Sequence, residues 1–159
     1  MRCPDCNRFR TPACEDADAD PCGETISLRA DASCEECGST MAEWSMDIDL
    51  PDALRAAVLA KHEATIARTG ERCSPDLVSD VDGSADVECV DVNGNEGLLT
   101  KAGKPRAARW VPGVVIRFAV TARCECIACE EAREGVEDEE SESAEVEHMV
   151  AFEDFESVC

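Results

Sequence analysis

Two pairs of cysteines near the start of the chain have the spacing of a metal site. Cys3 and Cys6 form one Cys-x-x-Cys pair, and Cys34 and Cys37 form a second. Each pair can supply two sulfurs from one tight turn, and two such turns complete the tetrahedral shell that zinc prefers. The pattern therefore predicts a structural zinc site with four cysteine ligands.

Redox chemistry and disulfide bonding are the competing uses of these pairs. A redox Cys-x-x-Cys accompanies a βαβ pattern, and Cys3 leaves no room for a strand before it. A secreted, disulfide-bonded protein would begin with an apolar signal segment, whereas this chain begins Met-Arg-Cys-Pro-Asp-Cys. We therefore expect zinc and a reducing, cytoplasmic compartment. Export by another route and packaging into a virus particle stay open.

Three closely spaced thiols form a second group further along the chain: Cys124, Cys126 and Cys129. A second zinc site would need a fourth ligand. We expect Cys89 in that role, because it lies on a neighbouring predicted strand, with Cys73 and Cys159 as alternatives. Some of these thiols could instead be buried free cysteines, which pack as small apolar residues.

The other titratable residues show no catalytic arrangement. The chain has two histidines. We interpret His62 as a lone, exposed residue on a helix, and neither it nor His148 has a nucleophile at a catalytic spacing. No glycine-rich phosphate loop is present. We therefore expect a protein that is not an enzyme.

The elements that position the first cysteines alternate in hydrophobicity with a period of two, which is typical of strands. Residues 26–32 and 42–50 flank the second cysteine pair, so they predict a β-hairpin with a metal turn at its tip. Pro51 to Thr69 then predicts a helix, with Leu54, Val58 and Ile66 on one face and Gly70 at its end.

The second half predicts further strands. Residues 77–92 suggest short strands with a turn at Asp82-Gly83, and alternation from Val114 to Cys124 predicts the clearest strand of the chain. The acidic stretch 130–147 predicts a flexible insertion, and 149–155 a last short strand. The predicted fold is mostly β, a small α+β protein. It divides into a zinc-ribbon hairpin module (1–50), a central connecting helix (51–70) and a second β module with a cysteine turn (71–159).

A weak internal repeat links the two halves. Alternating residues from Ile26 to Ala32 precede Cys34-Glu35, and alternating residues from Ile116 to Ala122 precede Cys124-Glu125. Each copy is a strand that runs into a cysteine turn.

Charge limits the partners that the chain can have. The formal net charge is −21, and such a surface repels nucleic acids and anionic membranes. A basic island at 101–123 could still be a nucleic-acid surface, which would use Arg106, Arg109, Trp110 and Arg117. The acidic stretch that follows could instead fold back onto this island. We favour that internal pairing, and we expect a protein partner and no membrane span.

Three stretches together resemble uncharacterised acidic zinc-ribbon proteins encoded by tailed bacteriophages. They are the opening Cys3–Phe9, the Cys34–Gly38 turn, and Lys104–Trp110 with the strand Val114–Cys126. The helix at 51–69 and the acidic insertion depart from that pattern. The resemblance implies a small viral accessory or virion protein and no particular activity.

Overall fold

The computed structural model describes residues 2–9, 12–95, 99–134 and 141–158. The first half forms a meander of three antiparallel strands, β1 (Ala13–Cys22), β2 (Thr25–Ser33) and β3 (Thr40–Asp49). The last strand, β7 (Glu156–Ser157), extends this sheet beside β3. The predicted hairpin is confirmed, since β2 and β3 pair from Thr25↔Asp49 to Ser33↔Thr40 with the cysteine turn between them.

A second three-stranded antiparallel sheet follows the helix. It has the order β4 (Leu77–Asp91), β5 (Trp110–Cys124) and β6 (Glu142–Ala151). The two segments of the internal repeat are thus interior strands of the two sheets, β2 and β5. Each of these strands ends at a cysteine turn.

One hydrophobic core lies between the two sheets. Its inward-facing residues on β2 are Ile26, Leu28, Ala30 and Ala32, and those on β5 are Val114, Ile116, Phe118, Val120 and Ala122. The sheets also approach each other at their borders. There β1 lies beside β4, and Trp44 of β3 stacks on His148 of β6 with ring centroids 5.5 Å apart. Residues from all three predicted segments therefore contribute to the same core.

Helix α1 (Asp52–Thr69) closes one end of this core. Its buried residues are Leu54, Val58 and His62, spaced by four, so they share one face of the helix. The helix ends at Gly70, which has φ 71° and donates its backbone N–H to the carbonyl of Ile66. This left-handed position favours glycine. The helix packs against β5, β6 and α3 (Ile127–Arg133).

The fold class is confirmed as mostly β, a small α+β fold, but three local predictions are wrong. The predicted last strand at 149–155 begins within β6, which ends at Ala151, and Phe152–Asp154 forms a 3₁₀ turn. The stretch 77–92 is one long strand, β4, followed by a helical turn, α2 (Val92–Asn95), instead of several short strands. The acidic segment 130–147 is structured at both ends, because α3 extends to Arg133 and β6 begins at Glu142. Residues 135–140 lie outside the described part.

Candidate metal centres

Four cysteines converge where the N-terminal turn meets the β2–β3 hairpin: Cys3, Cys6, Cys34 and Cys37. We call this cluster centre 1. The two cysteine turns have the same backbone pattern. Asn7 donates its N–H to the Cys3 carbonyl at 3.0 Å, and Gly38 donates to the Cys34 carbonyl at 2.7 Å. Both turns place the next residue at positive φ, 52° at Asn7 and 70° at Gly38.

The sulfurs of centre 1 surround a common point. All four lie within 4.8 Å of one another. Cys3 and Cys37 are 3.4 Å apart, and Cys6 and Cys34 are 3.9 Å apart. A disulfide needs about 2.05 Å between its sulfurs, so these are free thiols arranged as a metal-binding group.

Ser39 favours ionisation of a thiol of centre 1. Its hydroxyl hydrogen-bonds with the sulfurs of Cys3 and Cys37 at 3.3 and 3.0 Å. This hydrogen bond, with backbone N–H groups of the same turn, lowers the pKa of Cys3 to about 6. The thiolate form that binds metals is therefore favoured at neutral pH. Cys3 and Cys34 are buried while Cys37 is exposed, so the cluster reaches the surface on one side.

A second cluster combines three thiols with an imidazole: His62, Cys124, Cys126 and Cys129. We call this cluster centre 2. Cys124 ends β5, Cys126 precedes α3, Cys129 lies in its first turn, and His62 extends from α1. The Nδ1 atom of His62 lies 3.4, 3.4 and 3.5 Å from the three sulfurs. All four ligands are buried.

Burial gives the thiols of centre 2 unequal acidities. Desolvation opposes ionisation of Cys124, but backbone N–H groups of Cys126 and Asp76 donate to its sulfur, and the net effect lowers the pKa of Cys124. Burial raises the pKa of Cys126 to about 12 and also raises the pKa of Cys129. A metal cation would lower these raised pKa values, because coordinated thiols lose their protons.

The structure corrects the predicted fourth ligand of centre 2. Cys89 pairs with Pro112 on β5, whereas Cys124 pairs with Leu77, so Cys89 lies near the opposite end of a long strand. Twelve strand residues separate these two ends by roughly 40 Å. His62 occupies the place predicted for Cys89, and the expectation that His62 is exposed is wrong, since only 5% of its surface is accessible.

The alternative ligands have different positions. Cys73 is partly buried, and its side chain hydrogen-bonds with that of Cys126, but it does not belong to the group of four. Cys159 lies outside the described residues. Cys14 is partly buried and Cys22 is exposed, and neither belongs to a metal-binding group in the described chain.

Half of the six basic residues of the island, Arg109, Arg117 and Arg123, pair with acidic residues of the same chain. Arg117 donates to carboxylates on both neighbouring strands, with Asp86, Glu88 and Glu147 at 2.9–3.0 Å. Arg109 pairs with Glu153 at 3.1 Å.

Two residues of the proposed nucleic-acid surface are open to solvent: Arg106 is exposed, and Trp110 is 65% accessible. Since Arg109 and Arg117 both pair with carboxylates that follow the island in sequence, the internal pairing that we favoured exists for these two arginines.

We find no match to this chain among protein-family models, curated proteins or solved structures. Among the described residues, no helix has both the length and the apolar character that a membrane crossing requires. The geometry of the two clusters is therefore the feature of this chain that bears most directly on its function.

Proposed function

We propose that this chain is a structural-zinc protein that binds two zinc ions and acts through contacts with another protein. The observation that carries the proposal is the pair of four-ligand clusters, one with four thiols and one with three thiols and an imidazole. Ligand sets of this composition suit zinc, because soft sulfur and imidazole donors in tetrahedral geometry favour it over hard cations.

The distances support tetrahedral zinc. With Zn–S bonds of about 2.3 Å and Zn–N bonds of about 2.0 Å, a tetrahedral shell places two sulfurs about 3.8 Å apart and a sulfur and nitrogen about 3.5 Å apart. The sulfur pairs of centre 1 lie at 3.4 and 3.9 Å, and Nδ1 of His62 lies 3.4–3.5 Å from three sulfurs. These distances lie within a few tenths of an ångström of the tetrahedral values, and all ligand atoms of each cluster lie within 4.8 Å of one another.

A structural role follows from the number of ligands. Four protein ligands fill a tetrahedral shell, so no coordination position is left for water or a substrate. Each ion would join elements that are distant in sequence. Centre 1 joins the N-terminal turn to the β2–β3 hairpin, and centre 2 joins α1 to the end of β5 and to α3.

The energy of zinc binding is large enough to decide whether the chain folds. Structural zinc contributes about 10–16 kcal/mol of apparent binding free energy near neutral pH. The whole net stability of a typical domain is about 5–15 kcal/mol. The proposal therefore expects that a strong chelator unfolds the protein, which circular dichroism would detect. Unchanged spectra after complete metal removal would contradict a structural role.

The proposed action through protein contacts draws on the surface. The charge of −21 favours partners with a basic face. Large apolar side chains are also exposed, among them Phe9, Leu99 and Trp110. The resemblance to acidic phage ribbons extends the proposal to an accessory or particle-associated protein of a tailed phage, without enzymatic activity.

Affinity capture with the zinc-loaded chain, in parallel with a nucleic-acid titration, tests this part of the proposal. We expect a specific protein partner that high salt releases, and no nucleic-acid binding at moderate salt. The opposite result would be nucleic-acid binding without a protein partner, weakened by Arg106→Gln and Trp110→Ala. That result would replace the proposal with a nucleic-acid-binding ribbon.

A further inference from the structure

A groove of about 580 Å³ lies between α1 and α3, next to centre 2. Its apolar lining comes from Val58 and Ala64 of α1, Ala122 of β5 and Ala132 of α3. Cys124 and Cys129 also line it. The volume is within the range of about 300–1,000 Å³ that is usual for small-molecule sites. We call this surface the basic groove.

The charged side chains around the basic groove are mostly cationic, whereas the whole chain is strongly acidic. Four cationic side chains line it, Lys61, Arg68, Arg123 and Arg133, with one carboxylate, that of Glu142. The carboxylates carried by α1 and α3 themselves are not among the residues that line the groove in the described chain. In a chain of −21, this is a local site of positive potential.

Three of these cations are held in place by neighbouring oxygen atoms, and one of them is Arg123, which pairs with Glu125 at 2.6 Å. Arg133 donates from Nη1 to the backbone carbonyl of Cys124 at 2.7 Å, which leaves its remaining N–H groups for a ligand. Lys61 pairs with Glu142 at 2.7 Å, so the one carboxylate of the groove is already engaged. Fixed donors reduce the ordering cost of binding.

Arg68 differs from the other cations. It lies in the last turn of α1, exposed, and it forms no ion pair with any residue that the structure describes. An arginine presents a planar fork of N–H donors that matches the oxygens of a phosphate group. A ligand anion could therefore bind Arg68 without displacing a partner.

Ion pairs and the charge of the metal centre together leave one cation of the groove uncompensated. Three thiolates and a neutral imidazole around a zinc ion leave about one negative charge, which one neighbouring cation offsets. Lys61 and Arg123 already pair with Glu142 and Glu125. Of the remaining two cations, Arg68 and Arg133, one is therefore in excess. We propose that the basic groove binds a small molecule with a phosphate group, which Arg68 and Arg133 contact, while the organic part lies on the apolar floor.

Isothermal titration of the zinc-loaded full chain with adenosine monophosphate, inorganic phosphate and adenosine tests this proposal. We expect the nucleotide to bind, inorganic phosphate to compete with it more weakly, and adenosine not to bind. Two results would overturn the proposal. One is the absence of nucleotide and phosphate binding at millimolar concentration in low salt, and the other is adenosine that binds as well as the nucleotide.

A pair of charge-matched variants locates the site. Arg68→Gln should weaken nucleotide binding about tenfold, the loss expected for a charged hydrogen bond. Arg55→Gln removes the same charge from the same helix, but Arg55 pairs with Glu24 and does not line the groove. It should leave the affinity unchanged, and equal losses in both variants would refute the assignment.

The zinc content of both variants separates this inference from the proposed function. We expect each variant to keep the zinc content of the parent chain. If Arg68→Gln lost zinc together with nucleotide binding, the cation would serve centre 2, and the proposed phosphate site would be wrong. The number of zinc ions in the parent chain is measured independently of either result.

Discussion

Individual side chains decide the chemistry of both centres, because a four-ligand shell tolerates no omission. Centre 1 uses four thiols, one of which, Cys37, is exposed. Centre 2 uses three thiols and His62, all buried. Removing one ligand from a buried centre leaves sulfurs that cannot be solvated in place, which makes loss of the metal the expected consequence.

We predict that His62→Ala removes one of two bound zinc ions. The substitution deletes the nitrogen that lies 3.4–3.5 Å from three sulfurs, so the shell of centre 2 stays incomplete. Native mass spectrometry counts the ions directly. Cys89→Ser is the control and should keep both ions, since Cys89 is exposed near the far end of β4. Two ions in His62→Ala, or one in Cys89→Ser, would contradict the structure.

The sequence predicts the ligands of centre 1 but only part of centre 2, for a physical reason. A Cys-x-x-Cys turn is local, so spacing alone identifies it. His62 reaches its partners across 62 residues of chain, and no spacing rule links them. One signal was present: Leu54, Val58, His62 and Ile66 follow each other at intervals of four on one helix face. A histidine within that apolar series is more consistent with burial than with solvent.

At the scale of elements, close backbone approach explains two glycines. A Cβ atom at Gly113 would collide with the Val150 carbonyl oxygen and lie 2.8 Å from a methyl group of Val90. A Cβ atom at Gly83 would lie 2.6 Å from that of Phe118. These glycines allow β5 to pack tightly against its neighbouring strands.

We expect Gly113→Ala to reduce the free energy of unfolding by about 1–3 kcal/mol, the usual cost of overpacking a rigid site. Backbone atoms on β6 form part of the collision, so a simple rotation of a side chain cannot relieve it. Chemical denaturation of the zinc-loaded protein provides the measurement. Ser143→Ala, at an exposed position of β6, is the control. A Gly113→Ala variant as stable as this control would show that the strands have room to separate.

Ion pairs between neighbouring strands also stabilise the arrangement of the elements. Arg117 lies on the central strand β5 and contacts carboxylates on both β4 and β6. Hydrogen bonds from Arg117 to Glu88 and Glu147 raise its pKa above the ordinary value. We predict that Arg117→Gln lowers the thermal midpoint, because three carboxylates then face one another without a cation.

Salt provides the check on that prediction. The difference in midpoint between Arg117→Gln and the parent should shrink in high salt, since exposed charges are screened. Arg55→Gln breaks a single exposed pair and should shift the midpoint less. A shift for Arg117→Gln that salt does not change would assign the effect to packing instead of charge.

The sequence predicts those strands in which alternating hydrophobicity matches one buried and one exposed face. β2, β3 and β5 alternate because each has a buried and a more exposed face. Asp82-Gly83 has the composition of a turn, yet Gly83 lies within β4. Glycine is needed there because Phe118 leaves no room for a side chain. The acidic residues from 142 onward belong to β6 because that strand completes a sheet, which composition alone does not reveal.

At the scale of the molecule, the proposed metal binding would compensate for a core of small side chains. Alanine and valine account for much of the buried core, and aromatic residues are 4% of the chain. Small side chains bury little apolar area, and each buried Å² stabilises the fold by only about 25 cal/mol. The charge of −21 adds self-repulsion to the folded state. Two zinc ions that cross-link distant elements would offset both weaknesses.

The most direct test of this account is the number of metal ions per chain, measured by native mass spectrometry on protein purified without added metal. We predict two zinc ions, one in each centre, and ligand thiols that a thiol probe does not modify until a chelator is added. A metal-free chain with oxidised cysteines would contradict it and would indicate a disulfide-bonded protein instead.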